Sequence, residues 1–378
     1  MKILFIYFKY PFFIGGSYFQ EFLNRLAEKI ESVYLLAVWY PKKQFNKKQN
    51  IEFFWLPLLG IWWIEDLAFM FLAFIKVIFT KKLHEVDLVN SIGPRGLLAG
   101  WYLKKRYKIP LVCTVEIINE KGRLLDNLNY WMVKLLITVA PVDKFICWSN
   151  YYWENHLKKW GIAEEKVEII PGGIDVGGYR SLYDNKKSQQ IREKYALGSK
   201  LIVFAKPLYT ANTESAKLLV KSAALLKSRV KVKFLIGGGE GEPSVRALAN
   251  KLGVGDLIDF MPPTPFKKIP NYLAAADLIV LPYVYAPTTS RSLLEAMSLE
   301  KPIITVAVGE IGKILTDKKN ALFVRLEPES IAEAITAVLA DRIFSRKIAG
   351  NALELVRRRY DLKKIIKRTK EVLQKFSN

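Results

Sequence analysis

Ala286-Pro-Thr-Thr-Ser-Arg-Ser-Leu-Leu-Glu-Ala-Met-Ser-Leu-Glu-Lys-Pro-Ile-Ile-Thr-Val-Ala-Val308 decides both the fold and the site. Thr288, Thr289 and Ser290 precede an apolar pattern at Leu293, Leu294 and Met297 with helical spacing. Ser290 stands at the N-cap, where its hydroxyl is expected to accept from a backbone N–H two or three residues on. The helix must stop before Pro302, and 303–306 reads as a β-strand. A helix start of this kind attracts anions, because its free N–H groups and its dipole favour negative charge. Arg291 in the first turn adds a fixed cation. Glu295, one turn on, is expected to project from the same end and accept hydrogen bonds from neutral hydroxyls. A phosphate beside a polyol is what a nucleotide-sugar offers.

Outward from this stretch the chain alternates. Strands are expected at 201–205, 231–236, 258–261, 278–282 and 321–324, with helices at 214–227, 243–252, 269–275 and 329–339. The N-terminal half repeats the pattern. Strands at 2–8, 33–38, 51–56, 87–92, 111–116 and 144–149 are mostly separated by helical stretches. Such alternation means a parallel sheet covered on both faces, with ligands beyond the C-terminal strand ends. The fold class is therefore α/β, two doubly wound Rossmann-like domains facing a central cleft. A composition shift marks the boundary. The layout is 1–175 for an acceptor-side domain, 176–195 for a linker, 196–358 for a nucleotide-sugar domain, and 359–378 for a helix returning towards the first.

The totals agree. At 378 residues and 51% hydrophobic, the chain has the makings of two large cores and is not disordered. Cys113 and Cys147 read as core thiols in a reducing compartment. The net charge of +22 points to an anionic membrane surface or phosphate-bearing substrates, unless it is simply a lysine-rich surface. No nucleic-acid-binding module is recognisable. The sequence opens on a strand and no separate signal peptide is recognised, so the chain is expected to face the cytoplasm.

Segment 55–83 holds Trp55, Trp62, Trp63, Phe69, Phe71, Phe74 and Phe79, with Lys76, Lys81 and Lys82 towards its end. Residues 67–79 are apolar nearly all round, too few for a span of roughly 20 residues. The segment either packs on the sheet or lies in a membrane interface. His84 and His156 sit in no metal-ligand spacing.

Lys206, just after the first strand of the second half, can join Arg291 in neutralising a diphosphate without a metal. Neither Asp-x-Asp nor Gly-x-x-x-x-Gly-Lys occurs, so no essential divalent cation is expected and an NTPase is unsupported. Gly237-Gly238-Gly239-Glu240-Gly241 lacks the spacing of a dinucleotide loop. Gly15-Gly16 after the first strand can bring backbone N–H groups to a phosphate, a weak signal alone. Arg95 and Glu116 lie at strand ends and are acceptor-side residues by position.

These residues resemble a family-4 glycosyltransferase of the GT-B class, the group 1 glycosyl transferases. Gly15-Gly16 resembles that family's N-terminal glycine loop. Ile169-Ile170-Pro171-Gly172-Gly173-Ile174-Asp175 resembles its inter-domain signature. The run from Leu235 to Gly241, Ala276-Asp277-Leu278, Leu294-Glu295-Ala296-Met297 and Lys301-Pro302 resemble its C-terminal pattern, and Val308-Gly309-Glu310-Ile311 a segment often reading Gly-Gly-x-x-Glu. The resemblance implies retaining transfer from a nucleoside-diphosphate sugar without a metal cofactor. Glu295 would bind the donor ribose, while Ser290, Arg291, Ser292 and Leu293 would line the diphosphate or sugar, partly through backbone N–H. Lys206 stands where the family usually has Arg, Asn212 roughly where it has Lys, and Met261 on the loop cradling the base. There are two departures. The family's Glu, seven residues, Glu here begins with Pro287, and Glu116 stands where His is frequent. The implied role is sugar transfer to a lipid-linked or glycan acceptor in glycolipid or cell-surface polysaccharide synthesis, at the inner face of the cell membrane. A non-catalytic scaffold or sugar-binding protein, and a sugar-nucleotide epimerase, are the alternatives.

Overall fold

The computed structural model describes residues 1–8, 18–38, 49–57, 65–115 and 124–377. Gly15, Gly16 and Glu116 lie outside them. The chain forms two compact units, one of Met1–Pro171 with Lys363–Asn378, the other of Gly172–Leu362.

The first unit carries β1 (Lys2–Tyr7), β2 (Ser32–Val38), β3 (Ile51–Leu56), β4 (Leu88–Ile92), β5 (Leu111–Val115), β6 (Lys144–Cys147) and β7 (Val167–Ile169). They form one parallel sheet in the order β3-β2-β1-β4-β5-β6-β7. The second unit carries β8 (Lys200–Phe204), β9 (Val232–Gly237), β10 (Ile258–Met261), β11 (Leu278–Leu281), β12 (Ile303–Thr305) and β13 (Leu322–Phe323). Their order, also parallel, is β10-β9-β8-β11-β12-β13. Each sheet starts in its middle, runs to one edge, then returns and runs to the other. The strand order thus reverses between β1 and β4 in one unit and between β8 and β11 in the other. Connections leaving those two strands part to opposite faces there and open a crevice.

The central strands are near-continuous Val, Ile, Leu and Phe because helices cover both faces. Ile3, Leu4, Phe5 and Ile6 are fully buried, as are Leu201 and Val203. Register at the N-terminal edge of the sheets is pinned by a repeated device. Asp87, Asp143 and Asp277 each precede a strand and accept an N–H from the start of a neighbouring one, Lys2 at 2.7 Å, Leu111 at 2.8 Å and Leu201 at 2.8 Å. The Asp277 in the family-like Ala276-Asp277-Leu278 is therefore structural. Arg192 and Lys200 pair with it at 2.8 and 3.5 Å.

Residues 176–195 form two helices of the second unit, Val176–Arg180 and Asn185–Ala196. The C-terminal segment is two helices, Arg342–Arg359 in the second unit and Leu362–Gln374 almost wholly in the first. Arg368 of the latter bonds Glu168.

The apolar helix, Glu65–Phe79, resolves into two faces. Phe69, Met70, Ala73 and Val77 are buried, while Leu67, Phe71, Ile75 and Phe79 are exposed, Phe79 at 81%. The helix Leu124–Val139 likewise exposes Leu128, Trp131, Leu135 and Val139. Among the described residues no helix is long and apolar enough to cross a membrane. Cys113 and Cys147 are free and buried, and burial pushes both thiols well up.

Candidate active site

The strand-order reversal of the second unit gathers the residues singled out by sequence. Lys206 lies two residues past the end of β8. The helix Arg291–Ser298 follows β11, with Leu293, Leu294, Ala296 and Met297 in the core. Arg180 Nη1 donates to the Ser298 carbonyl at 2.8 Å, placing a cation at the helix's negative end.

Ser290 is the N-cap residue, with extended backbone, but its side chain does not cap. This corrects the sequence expectation. The Ser290 Oγ instead accepts a hydrogen bond from the Tyr283 hydroxyl at 2.6 Å. Tyr283 ends its strand connection inside the core, and there its O–H must find a partner. The N–H groups of the first helical turn are left without a side-chain cap. Beside them, the Thr289 Oγ1 is buried and has no hydrogen-bond partner.

Lys206 reaches the same place. Its Nζ lies 4.5 Å from the centroid of the Tyr283 ring, a cation–π contact. One aromatic ring thus carries the lysine on its face and holds the helix start by its hydroxyl. Burial pulls the Lys206 ammonium down to about 8. The loop after β9 fixes it from behind. A Cβ on Gly237 would sit 2.1 Å from the Lys206 carbonyl oxygen, and one on Gly239, whose φ is +146°, 2.9 Å from the Leu208 nitrogen. The glycine run that fails as a dinucleotide loop is there for close packing against the lysine loop. Leu208 N–H donates to the Gly238 carbonyl at 3.1 Å, and Gly241 N–H to the Leu208 carbonyl at 3.0 Å.

Arg291 Nε donates to Glu295 Oε1 at 2.9 Å, and its guanidinium lies 4.3 Å from the centroid of the Phe266 ring. Glu295 is therefore buried rather than projecting openly, with one oxygen engaged. Burial raises its pKa, and Arg291 pulls the other way without fully offsetting it. The Tyr179 hydroxyl is buried close enough for it and the Glu295 carboxyl to perturb each other, yet no hydrogen bond of good geometry joins them.

Ser292 and Leu293 occupy the first turn. The Leu293 side chain is buried in the core, so only its backbone faces the helix end. Asn212, near the start of the helix Thr210–Leu226, turns its amide back to the Pro207 carbonyl at 2.8 Å. Met261 ends β10, two strands from β8 on the same sheet edge, and is buried. Gly309, with φ +54°, brings the Val308–Glu310 loop against Ala286, whose carbonyl accepts from Glu310 N–H at 2.8 Å. Arg95 belongs to the first unit, where its Nη2 pairs with Asp66 at 2.6 Å and its guanidinium stacks on Phe8. Among the described residues no three of His, Cys, Asp and Glu cluster so as to hold a metal ion.

Sequence reasoning missed Tyr283, Phe266 and Tyr179. Tyr283 carried a signal, since it follows a strand end beside the helix. Tyr179 and Phe266 reach Arg291 and Glu295 through tertiary packing, which sequence spacing does not report.

A pH dependence follows. An anion bound by Lys206 requires the ammonium, which is lost as pH rises through about 8. Wild-type affinity for a nucleoside diphosphate, by calorimetry, should fall about tenfold per pH unit above that point until the complex itself titrates. Phosphate titrates near 6 and does not contribute there. Lys206→Arg, which does not titrate, should hold its affinity flat over the same range.

Two family models match the chain. Glycosyltransferase Family 4 covers residues 15–177, and Glycosyl transferases group 1 covers residues 199–341. The chain is similar to a D-inositol 3-phosphate glycosyltransferase of Nocardia farcinica, 24% identical over 71% of this chain and 62% of that protein. One of Xylanimonas cellulosilytica is 23% identical over 78% of this chain and 74% of its own length. Among solved structures, Anabaena HepE in complex with UDP superposes with a TM-score of 0.76 at 18% identity, covering 99% of this chain and 100% of the other. WaaG, described as a glycosyltransferase involved in lipopolysaccharide biosynthesis, has a TM-score of 0.75 at 17% identity, covering 99% of each. With two parallel-sheet α/β units, one under each family model, the chain belongs to the family-4, group 1 glycosyl transferases and has the GT-B fold.

Proposed function

We propose that the chain transfers a sugar, with retention of configuration, from a nucleoside-diphosphate sugar to a membrane-associated or glycan acceptor. The observation that carries the donor half is the convergence of Lys206, Arg291 and an uncapped helix start at the strand-order reversal of the second unit. The diphosphate would lie on the Ser292 and Leu293 N–H groups. As the glycosyl–phosphate bond breaks, charge grows on the leaving phosphate. Fixed cations and aligned amides stabilise that charge more in the transition state than before it. Glu295 would accept from the ribose hydroxyls with the oxygen Arg291 leaves open. The orphan Thr289 hydroxyl supports a ligand at this end, since buried hydroxyls are rarely left unpaired. Structures of the Anabaena neighbour hold UDP or UDP-glucose, which supports a nucleotide donor. With two organic cations at the diphosphate, transfer should survive chelation of divalent metal.

On the acceptor side the reading rests on the apolar stripes of the Glu65–Phe79 and Leu124–Val139 helices, Lys134 over the Trp131 ring, and the net charge of +22. The name shared by the sequence relatives favours a second acceptor class, a phosphorylated cyclitol. Transfer assays with radiolabelled UDP-sugars, offering membrane lipid extract and inositol phosphate in parallel, separate the two. We expect product in the lipid phase and co-flotation with anionic vesicles, reduced at least fivefold in Phe71→Glu/Phe79→Glu. Product with inositol phosphate alone, and equal recovery on neutral and anionic vesicles, would overturn the acceptor reading.

A further inference from the structure

We propose that Tyr283 is a positioning residue that keeps the anion site open by holding in another direction the hydroxyl that would otherwise close it. The inference rests on the donor reading above. A serine at an N-cap with extended backbone normally turns its oxygen onto the N–H two or three residues ahead. Ser290 has that position and that backbone, φ −69° and ψ 127°, yet makes no such bond. Elsewhere among the described residues, the Ser and Asp N-caps with extended backbone do cap. Ser149 accepts from Tyr152 N–H, Asp175 from Gly178 N–H, and Asp341 from Phe344 N–H. The difference at Ser290 is the Tyr283 hydroxyl, 2.6 Å from its Oγ.

Tyr283 is buried in the core and cannot follow solvent. Its O–H therefore fixes the Ser290 rotamer away from the helix axis, which leaves the Ser292 and Leu293 amides for a ligand. The same ring sits beneath Lys206. One side chain thus withholds the protein's own cap and presents the cation that works with the opened amides. Without the hydroxyl, Ser290 caps its own helix and competes with the phosphate.

Amide hydrogen exchange and UDP titration of the full chain test this. In Tyr283→Phe the ring under Lys206 stays, while Ser290 is released. The Leu293 amide should exchange about tenfold more slowly than in wild type, and UDP should bind about fivefold more weakly. Ser290→Ala, which cannot cap, should leave that amide exchanging as fast as in wild type. A merely structural role for Tyr283 predicts the opposite sign, because loosened packing speeds exchange. Unchanged or faster exchange in Tyr283→Phe, or slower exchange with undiminished UDP affinity, would overturn the proposal. If Tyr283→Phe does not fold, Tyr283 replaced by 3-fluorotyrosine gives the second measurement. A more acidic hydroxyl holds Ser290 more firmly, so the Leu293 amide should exchange no more slowly than in wild type, and slowing would count against the idea. The donor reading is judged separately, by whether UDP protects the Ser292 and Leu293 amides in the wild type.

Discussion

Lys206→Ala should lower sugar transfer at least about a hundredfold while leaving the melting temperature unchanged or slightly raised. The lysine is largely desolvated, and burial alone accounts for the fall in its pKa, with no carboxylate neighbour contributing. Removing such a charge relieves a desolvation cost, so the fold does not suffer. The loss falls on the leaving diphosphate, where one preorganised donor is worth about 10²–10³ in rate. Comparable turnover in the variant and the wild type would remove Lys206 from the site.

Glu295→Ala should behave differently, losing both activity and stability. Its carboxylate anchors Arg291 at 2.9 Å from inside the unit, and Phe266 holds the guanidinium on the other side. Without the carboxylate, Arg291 keeps a partly buried charge and loses its direction. We expect at least about a hundredfold loss of transfer and roughly 1–3 kcal/mol of destabilisation by chemical denaturation. Glu295→Gln keeps an acceptor for Nε and should retain more of both. A stable Glu295→Ala with full activity would show that the buried pair serves neither donor nor fold.

These two variants separate what the sequence made legible from what it did not. The parallel sheets could be read because strands covered on both faces become continuous apolar runs. The site could be placed because, in such sheets, chemistry collects beyond the C-terminal strand ends. Lys206, Arg291 and Glu295 all follow from that rule and from the spacing in one helix. The burial of Glu295 was not legible, since residue spacing gives a direction on a helix but not what packs against it. The idle cap on Ser290 was hidden for a related reason. Cap propensity is local, and the competing Tyr283 hydroxyl reaches Ser290 across a fold of the backbone. The purpose of the glycine run 237–241 is not legible in sequence, because its partner, the Lys206 loop, follows a different strand.

In the proposed function, an uncapped helix start with Lys206 and Arg291 beside it grips a pyrophosphate. A crystal structure of the chain with UDP bound tests it most directly. We expect phosphate oxygens within hydrogen-bond distance of the Ser292 or Leu293 N–H and of the Lys206 ammonium, with Ser290 still held by Tyr283. A nucleotide bound elsewhere, with the Ser290 hydroxyl turned onto those amides, would contradict it.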